Sequence, residues 1–242
     1  MANGHLEASY DLQRLGRLAE ALQLGRQGIA ELTPLMERDP RNTDNRSELV
    51  GAYQSVASLL ADSGDRAGAR AALATASGLL DVLLNRPTPK RAWRLAYKGR
   101  EDILRARLAD SPAEAAEAKA ALAAYLADIG RFELRGGQVP ALNQAMVADA
   151  GLQLGDLLAR SGDAAGAQRA WQEAAARLRP LAERLNPAAM TLLAHADFRL
   201  GSAKDAQAWA DRVRGTSYRH PAYADLQQKL GQAQTSGETP RP

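Results

Sequence analysis

The sequence contains no cysteine. That removes disulfide frameworks, thiolate nucleophiles and cysteine metal ligands, and it fits a reducing compartment. Aromatic residues make up only 5% of the chain, and β-branched residues are scattered, so few stretches read as strands. No apolar run approaches the ~20 residues needed to span a bilayer. The first ten residues, MANGHLEASY, lack a basic segment followed by an apolar core. The expectation is a cytoplasmic chain with no membrane partner. Reactive motifs are missing too. There is no GxxxxGK, no GxGxxG after a strand, no GxSxG and no kinase HRD or DFG segment. The three histidines, His5, His195 and His220, share no metal-ligand spacing. No catalytic residue, metal site or cofactor is expected. The 31 cations face 28 anions for a net charge of +3, so a pI near 9.3 reflects a mixed surface and not the footprint of a duplex-binding protein.

Alanine and leucine dominate what remains, a composition suited to close-packed helices. Leu59–Leu73 (LLADSGDRAGARAAL) and Leu157–Trp171 (LLARSGDAAGAQRAW) agree at ten of fifteen positions. Each reads as a helix–turn–helix. Gly64 and Gly162 take a positive φ to end one helix, and Asp65 and Asp163 cap the next. The small residues Ala67–Gly68–Ala69 and Ala165–Gly166–Ala167 are expected to let the second helix lie close to the first. Gly16 and Gly201 mark further turns, so the four glycines are 48, 98 and 39 residues apart. The double interval implies another unit near residue 113, with Ser111 as cap and Pro112 in the first turn. Pro34 and Pro180 each fall eighteen residues after a turn glycine and are expected to kink their helices. Helical periodicity predicts elements over 49–60, 67–85, 91–108, 113–129, 142–158, 164–185, 190–200, 203–213 and 222–230, with 41–46 as a loop. One domain over 1–231 is expected, with a loop or hinge at 130–139 around Gly136–Gly137 and a disordered polar tail over 232–242. The abrupt helical start suggests a segment of something longer.

Around the turns the chain resembles the tetratricopeptide repeat. That family has a small residue seven before the turn glycine, a large one four before, alanine five after, a bulky residue nine after and alanine twelve after. Gly155, Leu158, Ala167, Trp171 and Ala174 match around Gly162, as do Ala57, Leu60, Ala69, Leu73 and Ala76 around Gly64. The Gly201 unit keeps Ala194 and Ala206 but has Asp197, Ala210 and Val213. The Gly16 unit keeps Ser9, Leu12 and Ala21 but has Gly25 and Gly28. The resemblance implies an all-α, right-handed solenoid of about five antiparallel helix pairs plus a C-terminal helix, whose concave face takes a protein or peptide segment. The period exceeds the family's usual 34 residues, which lengthens each helix by roughly 10 Å at 1.5 Å per residue. Long-period arrays of this kind resemble C-terminal regions of bacterial serine/threonine kinases or winged-helix regulators, and Ser217–Pro221 resembles the close of such regions.

Two groups of residues are candidates for contact with a partner. Between Arg86 and Arg107 stand eight cations against two anions, Glu101 and Asp102. Arg91, Arg94, Lys98 and Arg105 fall at intervals of 3, 4 and 7, on one helix face. They form either a solvated surface or a cationic stripe that holds an acidic peptide or a carboxylate terminus, with nucleic acid as a further alternative. Asp149, Gln153 and Asp156 lie on the first helix of the Gly162 unit, which lines the concave face in the family, and could read a basic ligand. Trp171 is expected in the core, with Trp93 the aromatic most open to solvent. His195 is expected in a structural or surface role and His220 at a helix entry.

Overall fold

The computed structural model describes residues 2–85, 91–184 and 186–236; side chains at 2–3, 91–94, 141–142, 234 and 236 are outside the description. Among the described residues the chain is helical, with eleven helices and no strand. In order they are α1 (Ala2–Arg14), α2 (Leu18–Arg38), α3 (Thr43–Asp62), α4 (Arg66–Leu84), α5 (Arg91–Leu108), α6 (Pro112–Leu134), α7 (Ala141–Arg160), α8 (Ala164–Glu183), α9 (Pro187–Arg199), α10 (Ala203–Arg214) and α11 (Pro221–Ser236). The succession matches five helix pairs and a terminal helix. The chain forms two compact units, Met1–Leu104 and Arg105–Pro242.

Four hairpins are built on one turn. Gly16, Gly64, Gly162 and Gly201 have φ between 76° and 88°, as the sequence requires. At each, the residue after glycine donates its N–H to a carbonyl five residues back: Arg17 to Leu12, Asp65 to Leu60, Asp163 to Leu158 and Ser202 to Asp197, at 2.8–3.0 Å. This satisfies the last carbonyls of the first helix. Asp65 and Asp163 then accept from the N–H groups of Gly68 and Gly166, each at 2.8 Å. Gly68 and Gly166 serve a different purpose from the close approach expected of them. A Cβ there would meet the capping carboxylate at 2.4 Å and 2.3 Å, so glycine makes room for the cap.

Unit 1 stacks α1–α2 and α3–α4, with α2 also packed on α3. Leu32, Leu49 and Ala52 form one apolar cluster there, and Val50, Leu80 and Leu83 another. The first turn of α3 lies within the stretch read as a loop. Asn42 caps it by accepting from the N–H groups of Asp44 and Asn45, a signal that the periodicity of apolar residues passes over. By length and composition α4 reaches what a membrane span needs, with a mean hydropathy of 1.3 over its best window. Arg70 and Asp81 interrupt the helix, so it carries no unbroken apolar run. Its Leu73, Ala76, Leu80 and Leu83 are buried.

Unit 2 stacks α7–α8 and α9–α10, with α6 on α7, α8 on α9 and α11 on both α9 and α10. Ser111 and Glu114 form a reciprocal capping box at the start of α6, with Pro112 in its first turn. Asn186 caps α9, whose first residue is Pro187, so the helix starts three residues before the apolar pattern does. The expected hinge at 130–139 is corrected in its first half, because α6 runs on to Leu134. Gly136 takes φ 77° and Gly137 donates to the Phe132 carbonyl at 3.0 Å. The Gly136–Gly137 pair is therefore a helix C-cap of the same design as the hairpin turns. The predicted tail is corrected as well: Gln232–Ser236 belong to α11, and the rest of the tail lies outside the described residues.

Helix lengths follow the uneven spacing of the turn glycines. Helices α3 and α4 have 20 and 19 residues, and α7 and α8 have 20 each, or about 30 Å at 1.5 Å per residue. The last hairpin is shorter, with 13 residues in α9 and 12 in α10. Pro34 and Pro180 sit inside α2 and α8, near their ends.

Candidate functional site

The cations on α5 divide between inward and outward roles. Lys98 is paired with Asp102 and lies 3.7 Å from Glu101. Both carboxylates are buried, and Glu101 also accepts a hydrogen bond from Ser77. Lys98 therefore answers the two anions of its own segment, one and nearly one turn further along the helix. Arg105 is exposed, and it belongs to unit 2 while Lys98 belongs to unit 1. The side chains of Arg91 and Arg94, and that of Trp93, lie outside the described residues.

The polar stripe on α7 is engaged from within the chain. Gln153 donates to Asp149 at 3.2 Å. Burial pushes the Asp149 carboxyl up from its ordinary range, while that bond and the charges of Arg107 and Arg199 oppose the rise. Asp156 holds a bidentate pair with Arg199 of α9, at 2.5 Å to Nε and 2.6 Å to Nη2. It also accepts from the Trp171 indole at 3.1 Å. Its basic partner is thus Arg199, an arginine 43 residues away in the next hairpin that no local spacing pattern marks. The three side chains are brought onto one side of α7, where Asp156 ties α7 to both α8 and α9.

Trp171 is buried at 3% exposure, and Gly155 exists to admit it: a Cβ at 155 would lie 2.3 Å from the indole nitrogen. Trp209 is half-buried beneath the guanidinium of Arg212, 4.5 Å from the ring centroid. His220 accepts from the N–H of Ala222 at the start of α11, in keeping with a helix-entry role. His195 is buried and contacts the Ala222 carbonyl. Burial and the charge of Arg199 hold its imidazole down, from 6.5 to about 4.

On the opposite side of α7, unit 2 carries an open cleft of about 900 Å³ between α6, α7 and α8. Leu126 and Ile129 of α6, Val147 and Leu154 of α7, and Leu181 of α8 give it an apolar floor. None of Asp149, Gln153 and Asp156 lines it. Its fixed polar feature is Arg177, which donates to both Glu133 oxygens at 2.8 Å and 3.0 Å and to Gln144 at 2.6 Å. The ion pair lowers the Glu133 carboxyl and raises the Arg177 guanidinium. Gln144 in turn donates to the Val139 carbonyl at 3.0 Å, pinning the 135–140 loop to α7. Arg177 stands 44 positions from Glu133 and 33 from Gln144, and no spacing rule would have grouped them. Among the described residues no cluster of three or more His, Asp or Glu side chains could hold a metal ion.

No family model and no curated protein sequence matches this chain. Its fold is similar to that of a thermophilic tetratricopeptide protein of Thermus thermophilus, known from a crystal structure. The identity is 18%, 97% of this chain and 100% of that chain are covered, and the TM-score is 0.51. At that identity the likeness establishes the fold, a tetratricopeptide-like helical repeat.

Proposed function

We propose that this chain is a non-catalytic protein-interaction module that takes a segment of a partner protein. The observation that carries the reading is the α6–α7–α8 cleft: an open trough of about 900 Å³ with an apolar floor and polar walls. That volume falls in the range of small-ligand and peptide-side-chain sites. Apolar contacts along such a trough suit a linear ligand, because many modest contacts add along its length. A photo-crosslinking residue at Leu154 or Leu181, both partly exposed in the cleft, is expected to capture bound protein from a native lysate. The same residue at the exposed Gln168 is expected to capture none. Equal capture at all three positions, or none at any, would refute the reading.

The finer resemblance, to C-terminal regions of bacterial kinases or winged-helix regulators, rests on the 48- and 98-residue spacing of the turn glycines and on the Ser217–Pro221 ending. The coding sequence on either side of this chain tests it. Nucleic-acid binding through α5 is weakened as a reading because Lys98 is committed to buried acids. Retention of DNA or RNA that falls steeply with added salt would revive it.

A further inference from the structure

Helix α11 closes over the α9–α10 hairpin. Its Tyr223, Leu226 and Leu230 are buried in one cluster with Leu193, Ala210 and Val213. Two polar ties hold it there. The Tyr223 hydroxyl donates to the Ala210 carbonyl at 3.1 Å. His195, on α9, has its Nε2 atom 2.9 Å from the Ala222 carbonyl, in the first turn of α11. A carbonyl only accepts, so Nε2 carries the hydrogen and the neutral ring leaves Nδ1 as an acceptor. That Nδ1 atom is buried and has no hydrogen-bond partner, and the residue as a whole is 7% exposed.

We propose that His195 is an acid-sensitive latch: a proton at Nδ1 loosens α11 from the α9–α10 hairpin. The new N–H would find no acceptor, and the new charge would be buried, each of which disfavours the closed arrangement. The charged groups facing the ring pull both ways. Arg199 lies one turn further along α9 and is tied to Asp156 of α7; it opposes a second cation, as does Lys229 of α11. Asp225 of α11 lies 4.0 Å from Nε2 and favours the charge, but it is half exposed and already pairs with Lys229 at 2.7 Å. The balance is unfavourable to imidazolium, and the folded ring titrates near 4 against 6.5 when free. A base with a lowered folded value keeps its full contribution above the free value and loses it as pH falls from 6.5 toward 4. The linked change in the opening equilibrium is on the order of 10²-fold. Opening would uncover the apolar face of Tyr223, Leu226 and Leu230.

Hydrogen exchange of the whole chain at about pH 7 and about pH 4.5, corrected for the intrinsic rate, tests the latch. Opening of α11 is expected to rise on the order of 10²-fold on acidification while α7 and α8 stay protected. In His195→Gln, whose side-chain amide can donate to the same carbonyl and does not titrate, the rise is expected to stay below about tenfold. An equal acid response in both proteins, or none in the wild type, would overturn the proposal. Should His195→Gln fail to fold, the His195 ring titration in the wild type decides by NMR. A midpoint near 4 shared by the α11 amides supports the latch. A midpoint at about 6 or above, or a ring titration that leaves α11 unmoved, overturns it.

Discussion

Replacing Gly155 with alanine sets two effects of opposite sign against each other. Alanine in a helix interior is favoured over glycine by about 1 kcal/mol. The added methyl, however, would lie 2.3 Å from Trp171 Nε1, 2.4 Å from Cδ1 and 3.0 Å from Cε2. Ordinary contact needs at least about a further ångström. The indole has little freedom to retreat, since it is buried against α7 and its N–H is held by Asp156 at 3.1 Å. Overpacking a dense core costs about 1–3 kcal/mol, and loosening that hydrogen bond costs about 1 kcal/mol more. The net expectation for Gly155→Ala is a loss of about 1–3 kcal/mol, a drop of roughly 2–12 °C in Tm for a chain of this size. Gly78 supplies the control. It is an exposed residue inside α4 whose Cβ would meet nothing within 4 Å. There Gly78→Ala should stabilise by about 0.5–1 kcal/mol. Thermal melts followed by far-UV circular dichroism measure both. A Gly155→Ala protein as stable as the wild type would show that the indole does not lie over position 155, and the packing described for α7 and α8 would be wrong.

Removing the turn carboxylates by Asp65→Ala and Asp163→Ala should each cost about 1 kcal/mol, read as a lower urea midpoint, and the two losses should add because the turns stand in different units. Arg177→Gln should cost about 1–2 kcal/mol at neutral pH, measured by chemical denaturation. Glu133 has a lowered carboxyl value because of Arg177. Its contribution is therefore present above the unfolded value near 4.5 and fades as pH falls through the folded one, so wild type and variant should converge in acid.

The turns were legible because each is a local device. Gly64 and Asp65, or Ser111 and Glu114, fix a helix boundary through atoms within a few residues of one another. Helix boundaries depart from the apolar pattern where a polar cap lies ahead of it. Asn42 and Asn186 cap α3 and α9 through the same acceptor geometry as the aspartates, yet the apolar pattern starts later in both helices. At Gly136–Gly137 the departure has the opposite cause. Two glycines suggest flexibility, whereas a single positive φ and one N–H to Phe132 make them a cap. The polar contacts that define the α7 surface and the cleft were not legible. Arg199 to Asp156 and Arg177 to Glu133 join residues 43 and 44 apart, and only the stacking of successive helices brings them together.

The departures from the repeat pattern show how that stacking tolerates unusual residues. The position nine after the turn glycine is Trp171 and Leu73 in the regular units but Gly25 and Ala210 in the other two. Both substitutions leave a gap that the neighbouring element fills. At Gly25 a Cβ would sit 2.9 Å from Val56, so α3 has moved into the space a bulky residue would take. At Ala210 the hydroxyl of Tyr223 reaches the backbone carbonyl, and the Tyr223 ring is buried there in place of a large side chain on α10. The missing volume is supplied from the following helix in each case. A reading of position types within one hairpin sees only a mismatch, while the packing constraint it breaks is met across hairpins. Asp197 is the departure that no neighbour fully answers. It stands where Leu12, Leu60 and Leu158 stand in the other units. Burial raises its carboxyl, Arg179 is 3.8 Å away, and one oxygen has no hydrogen-bond partner. A buried carboxylate in a leucine position costs stability, so the last hairpin carries, at this position, a polar cost that leucine spares the other glycine-turn hairpins. That hairpin is also the shortest of the four and the one on which α11 rests. Acid acts on its two buried groups in opposite directions. The raised Asp197 carboxyl takes its proton more readily folded than unfolded, so acid relieves it; the lowered His195 ring resists its proton, so acid penalises it. The relief steadies the hairpin itself, while the penalty falls on a ring buried where α11 covers the hairpin. Acid is therefore expected to part α11 from the hairpin before it melts the hairpin.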